Sequence, residues 1–297
     1  MINGVLNLNK PAGKSSHDMV YFTRRLYNIK KVGHTGTLDP EACGVLPMLI
    51  GSATKLSDLL LNHDKKYSAV LKLGISTDTM DATGKIIKTC EELPSYEQVK
   101  EACENFKGEI MQTPPMYSAI KLNGRKLYEY ARDNINLELE PRKINIYDLT
   151  CEKTGKPGEY ILNISCSKGT YIRSLCHDIG ELLNCGGIMS GLCRTNSGLF
   201  DIAQAYAPED LEKLEEPESV IISCEQILRN FTEKIIKLDA FYSRLAKNGA
   251  EIYLKKIKLS FDIGEQILMY DEENKLFALG QVGDYKDGPA CKAQIFI

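Results

Sequence analysis

The segment from Gly33 to Pro47 constrains the fold more than any other part of the chain. It reads GHTGTLDPEACGVLP and holds three glycines and two prolines, so neither a long helix nor a regular strand can run through it. Pro40 keeps Asp39 out of the right-handed helical conformation, which presents the Asp39 carboxylate on a stiff loop. Asp39 is therefore a candidate nucleophile or base, although an Asp-Pro pair is also a common turn element.

Apolar periodicity around this loop predicts strands and helices interspersed along the chain. The pattern lacks a regular βαβ repeat, which favours an α+β fold of mixed layers over a doubly wound one. The polar segment 74–84 is expected to be a surface loop, and Asn123-Gly124 is a strong turn signal after a strand-like run at 117–122. Strands are predicted at 4–9, 45–50, 67–73, 143–150 and 160–166, and helices at 17–27, 55–61, 96–106, 127–132 and 171–183.

Length and local composition indicate two domains. The chain has 297 residues with 43% apolar residues, and domains average roughly 150 residues. The segment 209–218 holds six acidic residues and one lysine, a composition typical of a solvated face or linker. From Lys234 onward, short strand-like stretches alternate with glycines. We therefore predict a first domain at 1–230 and a small β-rich domain at 234–297.

Charge and cysteine usage exclude several classes of protein. Lys plus Arg number 37 against 40 Asp plus Glu, so a polyanion would have to meet a local patch rather than a global positive field. Two candidate patches exist, at residues 10–31 and 121–132. The ten cysteines include no C-x-x-C pair, which argues against the usual zinc sites and dithiol redox motifs. We expect them to be small buried apolar residues of a protein in the reducing cytoplasm.

No cofactor, metal or membrane signature is found. Gly13-Lys14-Ser15 ends like a phosphate-binding loop, but the first glycine of that motif would fall at Leu8. The four histidines include no pair with the i, i+4 spacing of a metal-binding helix. No apolar run is long enough to span a membrane, and the first ten residues do not resemble a signal peptide.

The Asp39 loop resembles that of the bacterial tRNA pseudouridine-55 synthases of the TruB type, and further blocks of the chain resemble the same family. Two departures are Cys193 and Ser76, which stand where arginine is common. The additional blocks are Asn9-Lys10-Pro11, Lys66-Tyr67, Thr77-Asp78-Thr79 with Asp81 and Gly84, Gln112 with Pro114-Pro115 and Tyr117-Ser118-Ala119, Gly169-Thr170-Tyr171-Ile172-Arg173, and Leu192 with Arg194-Thr195.

The resemblance implies a catalytic core with a largely antiparallel mixed sheet flanked by helices. It also implies isomerisation of one T-loop uridine of tRNA: the N1–C1′ bond breaks, the base rotates, and C5 is joined to the sugar. That reaction needs no cofactor. The family's aspartate, here Asp39, attacks the base or the ribose or drives a proton shift at the sugar, and the sequence does not choose among these.

Two further catalytic residues follow from the resemblance. Arg173 would pair with Asp39 and keep its carboxylate ionised and aimed, whereas an arginine that opens a helix is otherwise mostly solvated. Tyr67 would stack on the extracted base and keep water from the broken glycosidic bond, although an aromatic residue on a strand is more often part of the core.

Five substrate-binding residues are implied in the same way. His34 would help turn the base outward, Lys10 would support the active-site loop through Tyr67 or its neighbours, and Leu192 would pack near the base. Tyr171 and Arg132 belong to the same matching blocks. Each also has a structural alternative, such as a hydrogen-bonding loop histidine, a surface lysine or a core leucine.

The implied partner is tRNA alone, bound by a monomer without protein partners. The C-terminal region resembles a PUA domain, a small RNA-binding module. Three alternatives remain: a relative that modifies guide-selected RNA together with partner proteins, an RNA chaperone that opens the tRNA elbow, and an aspartate-dependent nucleosidase.

Overall fold

The computed structural model describes residues 2–118, 120–122, 124–133, 135 and 137–297. Its strands are β1 (Gly4–Lys10), β2 (Val32–His34), β3 (Cys43–Ile50), β4 (Lys65–Leu73), β5 (Ile75–Thr77), β6 (Ile86–Thr89), β7 (Gly108–Gln112), β8 (Lys121–Leu122), β9 (Arg125–Lys126), β10 (Arg142–Lys153), β11 (Glu159–Cys166), β12 (Gly187–Ser197), β13 (Phe200–Asp201), β14 (Ile222–Ser223), β15 (Ile235–Lys237), β16 (Ile252–Tyr253), β17 (Gln266–Tyr270), β18 (Leu276–Tyr285) and β19 (Gly288–Phe296).

The helices are short, and serine side chains start several of them. Ser15, for example, accepts a hydrogen bond from the Asp18 amide while the Asp18 carboxylate accepts one from Ser15, so both ends of this capping box are satisfied. The α-helices are α1 (Ser16–Tyr27), α2 (Ser57–Leu61), α3 (Tyr96–Glu104), α4 (Leu127–Arg132), α5 (Ile172–Leu182), α6 (Pro208–Leu211), α7 (Cys224–Leu228) and α8 (Ala240–Lys247).

A ten-stranded sheet organises the larger part of the protein. Its strand order is β14-β1-β3-β12-β4-β11-β10-β7, with β13 on β12 and β2 on β3. The pairs are antiparallel except β3 with β12, which run parallel at Cys43–Cys193 and Gly44–Arg194. Gly44 has φ +106°, and a Cβ there would lie 2.2 Å from the Arg194 carbonyl oxygen, so glycine permits this close approach.

Apolar side chains cover both faces of the sheet. On one face, α3 and α5 pack through Val99 and Ile179 against strand residues such as Leu71 and Leu162. Farther along the sheet, Met19 of α1 belongs to a second cluster with residues of β1 and β3. These two clusters hold α5 and the β2–β3 loop at the same end of the sheet.

A β-rich domain forms the C-terminal part of the chain. Its five-stranded sheet has the order β15-β17-β18-β19-β16 and its own core, which includes Ile236, Met269 and Val282. Leu268 and Leu279 join a third cluster with β1 and β3 residues, so this sheet packs on the larger one. The predicted α+β class and the β-rich C-terminal domain are confirmed.

Two local predictions were wrong. The segment 74–84 is not wholly a surface loop, because β5 pairs with β6 and buries Ser76 and Thr77 to 3% and 4% exposure. Among the described residues of the strand expected at 117–122, only Lys121–Leu122 forms a strand, β8, which pairs with β9. Ala119 and Asn123 are not among the described residues. The Ala119 part of the matching block and the first residue of the predicted Asn123-Gly124 turn therefore lie outside the description.

The contact between α5 and β12 should not tolerate a methyl group. A Cβ on Gly180 would lie 2.1 Å from the Gly187 amide nitrogen. We expect Gly180→Ala to lower the free energy of unfolding by about 1–3 kcal/mol, which outweighs the gain of up to about 1 kcal/mol that alanine brings to a helix interior. Urea denaturation measures this, and the exposed neighbour Glu181→Ala should change stability by less than about 0.5 kcal/mol. A Gly180→Ala protein as stable as wild type would contradict the packing.

Candidate active site

The loop between β2 and β3 presents Asp39 from a fixed backbone. The buried Ser16 hydroxyl donates to the Leu38 carbonyl at 3.1 Å and accepts from the Leu38 amide at 2.9 Å. Lys10, at 0% exposure, donates from Nζ to the Pro40 carbonyl at 3.0 Å. Both residues that flank Asp39 are therefore held by side chains from outside the loop.

Arg173 lies opposite Asp39 at the start of α5. It is 7% exposed, and its Nε lies 3.1 Å from Asp39 Oδ2. Nη2 donates to the Tyr117 carbonyl at 2.8 Å, and Nη1 lies 3.6 Å from Asp81 Oδ2. One buried guanidinium is thus shared between two carboxylates and a backbone carbonyl, which satisfies its donors and fixes its plane.

Opposing effects set the charge state of Asp39. Burial raises the pKa of its carboxyl group and the nearby Asp81 carboxylate raises it further, whereas the Arg173 guanidinium and the more distant Lys10 lower it. The side chain still exposes 41% of its surface to the cleft. Asp39 can therefore meet a ligand as a carboxylate that is held beside a cation.

Three cavities meet at Asp39 and Arg173. The largest, about 730 Å³, is bounded by the 79–83 loop and by Arg132 on α4. A smaller pocket of about 120 Å³ is lined by Tyr67, Tyr171 and Leu192 among others. A third cavity of about 670 Å³ continues past Tyr67 along the other side of the loop. Together they form a continuous cleft that is centred on the ion pair.

Tyr67 on β4 forms a wall of the small pocket, and Arg194 fixes it from behind. Arg194 on β12 is 2% exposed; its Nε donates to the Val45 carbonyl at 2.7 Å and its Nη2 to the Gly36 carbonyl at 3.2 Å. Arg194 is also the cross-strand partner of Tyr67. Burial raises the pKa of Tyr67 while Arg194 opposes that shift, so the phenol stays protonated at neutral pH.

The third cavity has a cationic wall. Among the described residues that line it, Asp39 is the one acidic side chain. Lys168 donates to Asn62 at 2.8 Å, which leaves its charge exposed to the cavity. A polyanion would find its positive track here. Lys65, Arg173 and Arg194 are buried in this wall, and Lys143 pairs with Glu109 at 2.8 Å. The cations of this wall are Lys65, Arg142, Lys143, Lys168, Arg173 and Arg194.

The two basic patches expected from the sequence are weaker than predicted. Lys10 is buried rather than part of a surface. Arg25 pairs with Glu212 at 2.7 Å, so the acidic run partly neutralises the first patch. In the second patch, Arg125 pairs with Asp133. Linear clustering missed the pairing of Arg25 because Glu212 lies far away along the chain.

The structure brings six of the eight predicted site residues to the cleft and sets two behind it. Lys10 and His34 do not appear among the described residues that line the three cavities. Lys10 supports the loop through the Pro40 carbonyl, while it also donates to the Pro11 and Lys14 carbonyls, rather than through Tyr67. Burial and Arg194 lower the pKa of His34, which favours its neutral form. The six in the cleft are Asp39, Tyr67, Arg132, Tyr171, Arg173 and Leu192.

Sequence reasoning assigned no role to Asp81 or Arg194. Asp81 accepts hydrogen bonds from Thr79 and Thr83 as well as facing Arg173. A signal was present for Arg194, because it lies with Leu192 in a block that resembles the family. Neither partner set could be read from spacing alone.

Within the described ranges, no group of three or more His, Cys, Asp or Glu side chains could hold a metal ion. No helix in that part of the chain is long and apolar enough to cross a membrane. The cysteines are all free thiols.

Comparison with known proteins places this fold and cleft. Residues 24–172 match the TruB family pseudouridylate synthase (N terminal domain), and residues 173–230 match the tRNA pseudouridylate synthase B C-terminal domain. The chain is 45% identical to tRNA pseudouridine synthase B of Alkaliphilus oremlandii, covering 92% of this chain and 91% of that protein. It is 39% identical to the protein of the same name from Clostridioides difficile, covering 98% of each.

Among solved structures, a Cbf5-Nop10-Gar1 complex contains a chain that matches with a TM-score of 0.69 and 25% identity, covering 99% of this chain and 84% of that one. Fold and cleft together define a pseudouridine synthase, an isomerase that acts on uridine. Within that class, the chain belongs to the TruB family of tRNA pseudouridine synthases. The family resemblance and the enzyme class predicted from the sequence are confirmed.

Lys65 should make stability depend on pH. It is 7% exposed, donates to the Leu61 carbonyl at 2.8 Å, and has a pKa lowered to about 8 by burial and by Arg194. An unfolded lysine has a pKa of about 10.4, so between these values the unfolded state binds more protons and the free energy of unfolding rises with pH.

Urea denaturation of wild type and Lys65→Met across this range tests the sign. As the pH rises, the free energy of unfolding of wild type should increase relative to that of Lys65→Met by up to about 1.4 kcal/mol per pH unit. The exposed neighbour Lys66→Met should show no such trend. A constant difference between Lys65→Met and wild type at all pH values would be inconsistent with the lowered pKa.

Proposed function

We propose that this enzyme converts uridine 55 in the T-loop of tRNA to pseudouridine, with Asp39 as the reacting carboxylate. The observation that carries the proposal is the Asp39 carboxylate at the centre of the cleft, 3.1 Å from the buried Arg173 guanidinium. The matching loop of the family supports the same role. Arg173 keeps Asp39 aimed, and Asp81 holds the far side of the guanidinium.

Asp39 would act after the target nucleotide is turned out of the RNA stack. Its carboxylate attacks the base or the ribose, or drives a proton shift at the sugar, and each route breaks the N1–C1′ bond. The base then rotates in the pocket and C5 bonds to C1′. The hydrogen on C5 leaves as a proton, N1 gains one, and the composition of the nucleotide is unchanged.

The small pocket has the character that this reaction needs. Tyr67, Leu192 and Met189 contribute apolar surface beside Asp39. A planar base can stack on Tyr67 while apolar neighbours exclude water. Exclusion matters because water that captured the sugar would release free uracil instead of allowing the bond to C5.

The cationic wall of the third cavity would hold the phosphates of the T-arm. We assign catalysis to residues 1–230 and assign residues 234–297 to a PUA-type domain that grips the acceptor stem. The enzyme would act in the cytoplasm as a monomer without protein partners, with His34 helping to displace the target nucleotide. The size and charge of the cleft support binding of an RNA loop rather than a small metabolite.

Tritium release from tRNA labelled at C5 of uridine tests the reaction and its aspartate. Because joining C5 to the sugar expels the C5 hydrogen, wild type should release tritium. Asp39→Asn should reduce the rate by about 10²–10⁴-fold or more, while Asp58→Asn on the exposed face of α2 should leave it unchanged. A transcript with cytidine at the T-loop target should give no release.

The same assay separates the alternatives. Release of free uracil would indicate a nucleosidase. A folded, tRNA-binding protein that releases no tritium but still assists RNA folding after Asp39→Asn would indicate a chaperone. Release that persists in Asp39→Asn would contradict the role of this carboxylate.

The pH dependence of kcat should report the raised pKa of Asp39. A protonated aspartate is neither nucleophile nor base, so activity falls as pH drops through a value above the ordinary aspartate pKa of about 3.9. Asp81→Asn removes a negative charge that raises the pKa of Asp39. The acid limb of its residual single-turnover rate should therefore lie at lower pH than in wild type. A limb that moves to higher pH would contradict this electrostatic arrangement.

A further inference from the structure

Gln112, at the end of β7, forms a two-point contact with the residue that begins α5. Its Nε2 donates to the Tyr171 carbonyl at 3.0 Å, and its Oε1 accepts from the Tyr171 amide at 2.8 Å. The side chain is 2% exposed. Both polar ends of one buried amide are therefore bonded to the backbone of a single residue.

This contact fixes the N-cap residue of a helix that lacks a side-chain cap of its own. The first amides of a helix lack partners within the helix and are usually satisfied by a Ser, Thr, Asp or Asn side chain. Tyr171 occupies the N-cap position of α5 and makes no such side-chain bond. Its carbonyl already accepts the first helical bond, from the Leu175 amide at 3.1 Å. Gln112 thus fixes the peptide units from which the helix starts.

Arg173 is the second residue of that helix. The segment that follows Gln112 also holds this turn, because Ser174 Oγ donates to the Thr113 carbonyl at 2.9 Å and Arg173 Nη2 donates to the Tyr117 carbonyl. Hydrogen bonds with residues 112–117 therefore fix both the helical turn that carries Arg173 and its guanidinium.

We propose that Gln112 is a positioning residue of the isomerase: by clamping Tyr171 it sets where the Arg173 guanidinium meets Asp39. The inference rests on the proposed function, in which Arg173 aims the Asp39 carboxylate. Gln112 acts through the helix start and is absent from the described residues that line the cleft. Displacing a reacting group by about 1 Å can cost on the order of a hundredfold in rate.

Two substitutions of similar size test the clamp. Gln112→Met retains the length of the side chain and removes both hydrogen bonds. We expect kcat for tritium release to fall about tenfold or more, with KM for tRNA little changed because the cationic wall is intact. Circular dichroism and thermal denaturation verify that the variant is folded.

Gln112→Glu tests the clamp through the pH dependence of activity, which a purely structural role of Gln112 would not change. A protonated glutamic acid both donates and accepts, as the amide does, whereas an ionised carboxylate only accepts and faces the Tyr171 carbonyl. Its charged neighbours, Arg142 across the strand pair and Arg173 on the helix, are the same in every variant. Activity relative to wild type should therefore rise as pH is lowered in Gln112→Glu, and stay flat in Gln112→Met. The exposed Gln204→Glu is the matched control and should follow wild type.

Wild-type kcat in Gln112→Met would overturn the proposal, and so would an equal, pH-independent loss in both variants. These results differ from failure of the proposed function. That failure appears as tritium release that does not need Asp39, whatever is found at Gln112.

Discussion

The arrangement around Arg173 is the interaction on which the site depends. A guanidinium at 7% exposure must be paired, because an unpaired charge at that depth costs several kcal/mol. Its partners come from three separate segments: the loop with Asp39, the turn with Asp81, and the stretch that ends at Tyr117. Folding must therefore bring these segments together before the cation is satisfied, and the result is a carboxylate aimed into a cleft.

The rest of the cleft follows from what surrounds this pair. The parallel contact of β3 with β12 brings Leu192 and Arg194 beside the Asp39 loop, and β4 adds Tyr67 on the next strand. The cationic wall lies on the side away from the 79–83 loop. A protein with net charge −3 can thus offer a polyanion a local group of exposed cations, which includes Arg142 and Lys168.

The sequence predicts those parts of the fold and of the site that depend on neighbouring residues. Apolar spacing predicts a helix at 17–27, within a residue of α1, and the glycines and prolines around Asp39 predict a rigid loop. What escaped prediction depends on distant partners. Asp81 and Arg173 meet only through tertiary structure, and Lys10 looks like a surface residue until its backbone acceptors are known. Ser76 and Thr77 are polar yet buried; pairing of β5 with β6 satisfies their backbone, and Thr77 Oγ1 donates to the Asp81 carbonyl at 2.7 Å.

The two buried cations behind the loop share a property that bears on how this enzyme can vary. Lys10 and Arg194 donate to backbone carbonyls, those of Pro11, Lys14 and Pro40 for one and those of Gly36 and Val45 for the other. A carbonyl is present at every position whatever the side chain, so these anchors do not read the identity of the residues that they hold. Lys10 and Arg194 therefore hold the backbone on either side of Asp39 in a way that does not depend on the side chains at the anchored positions.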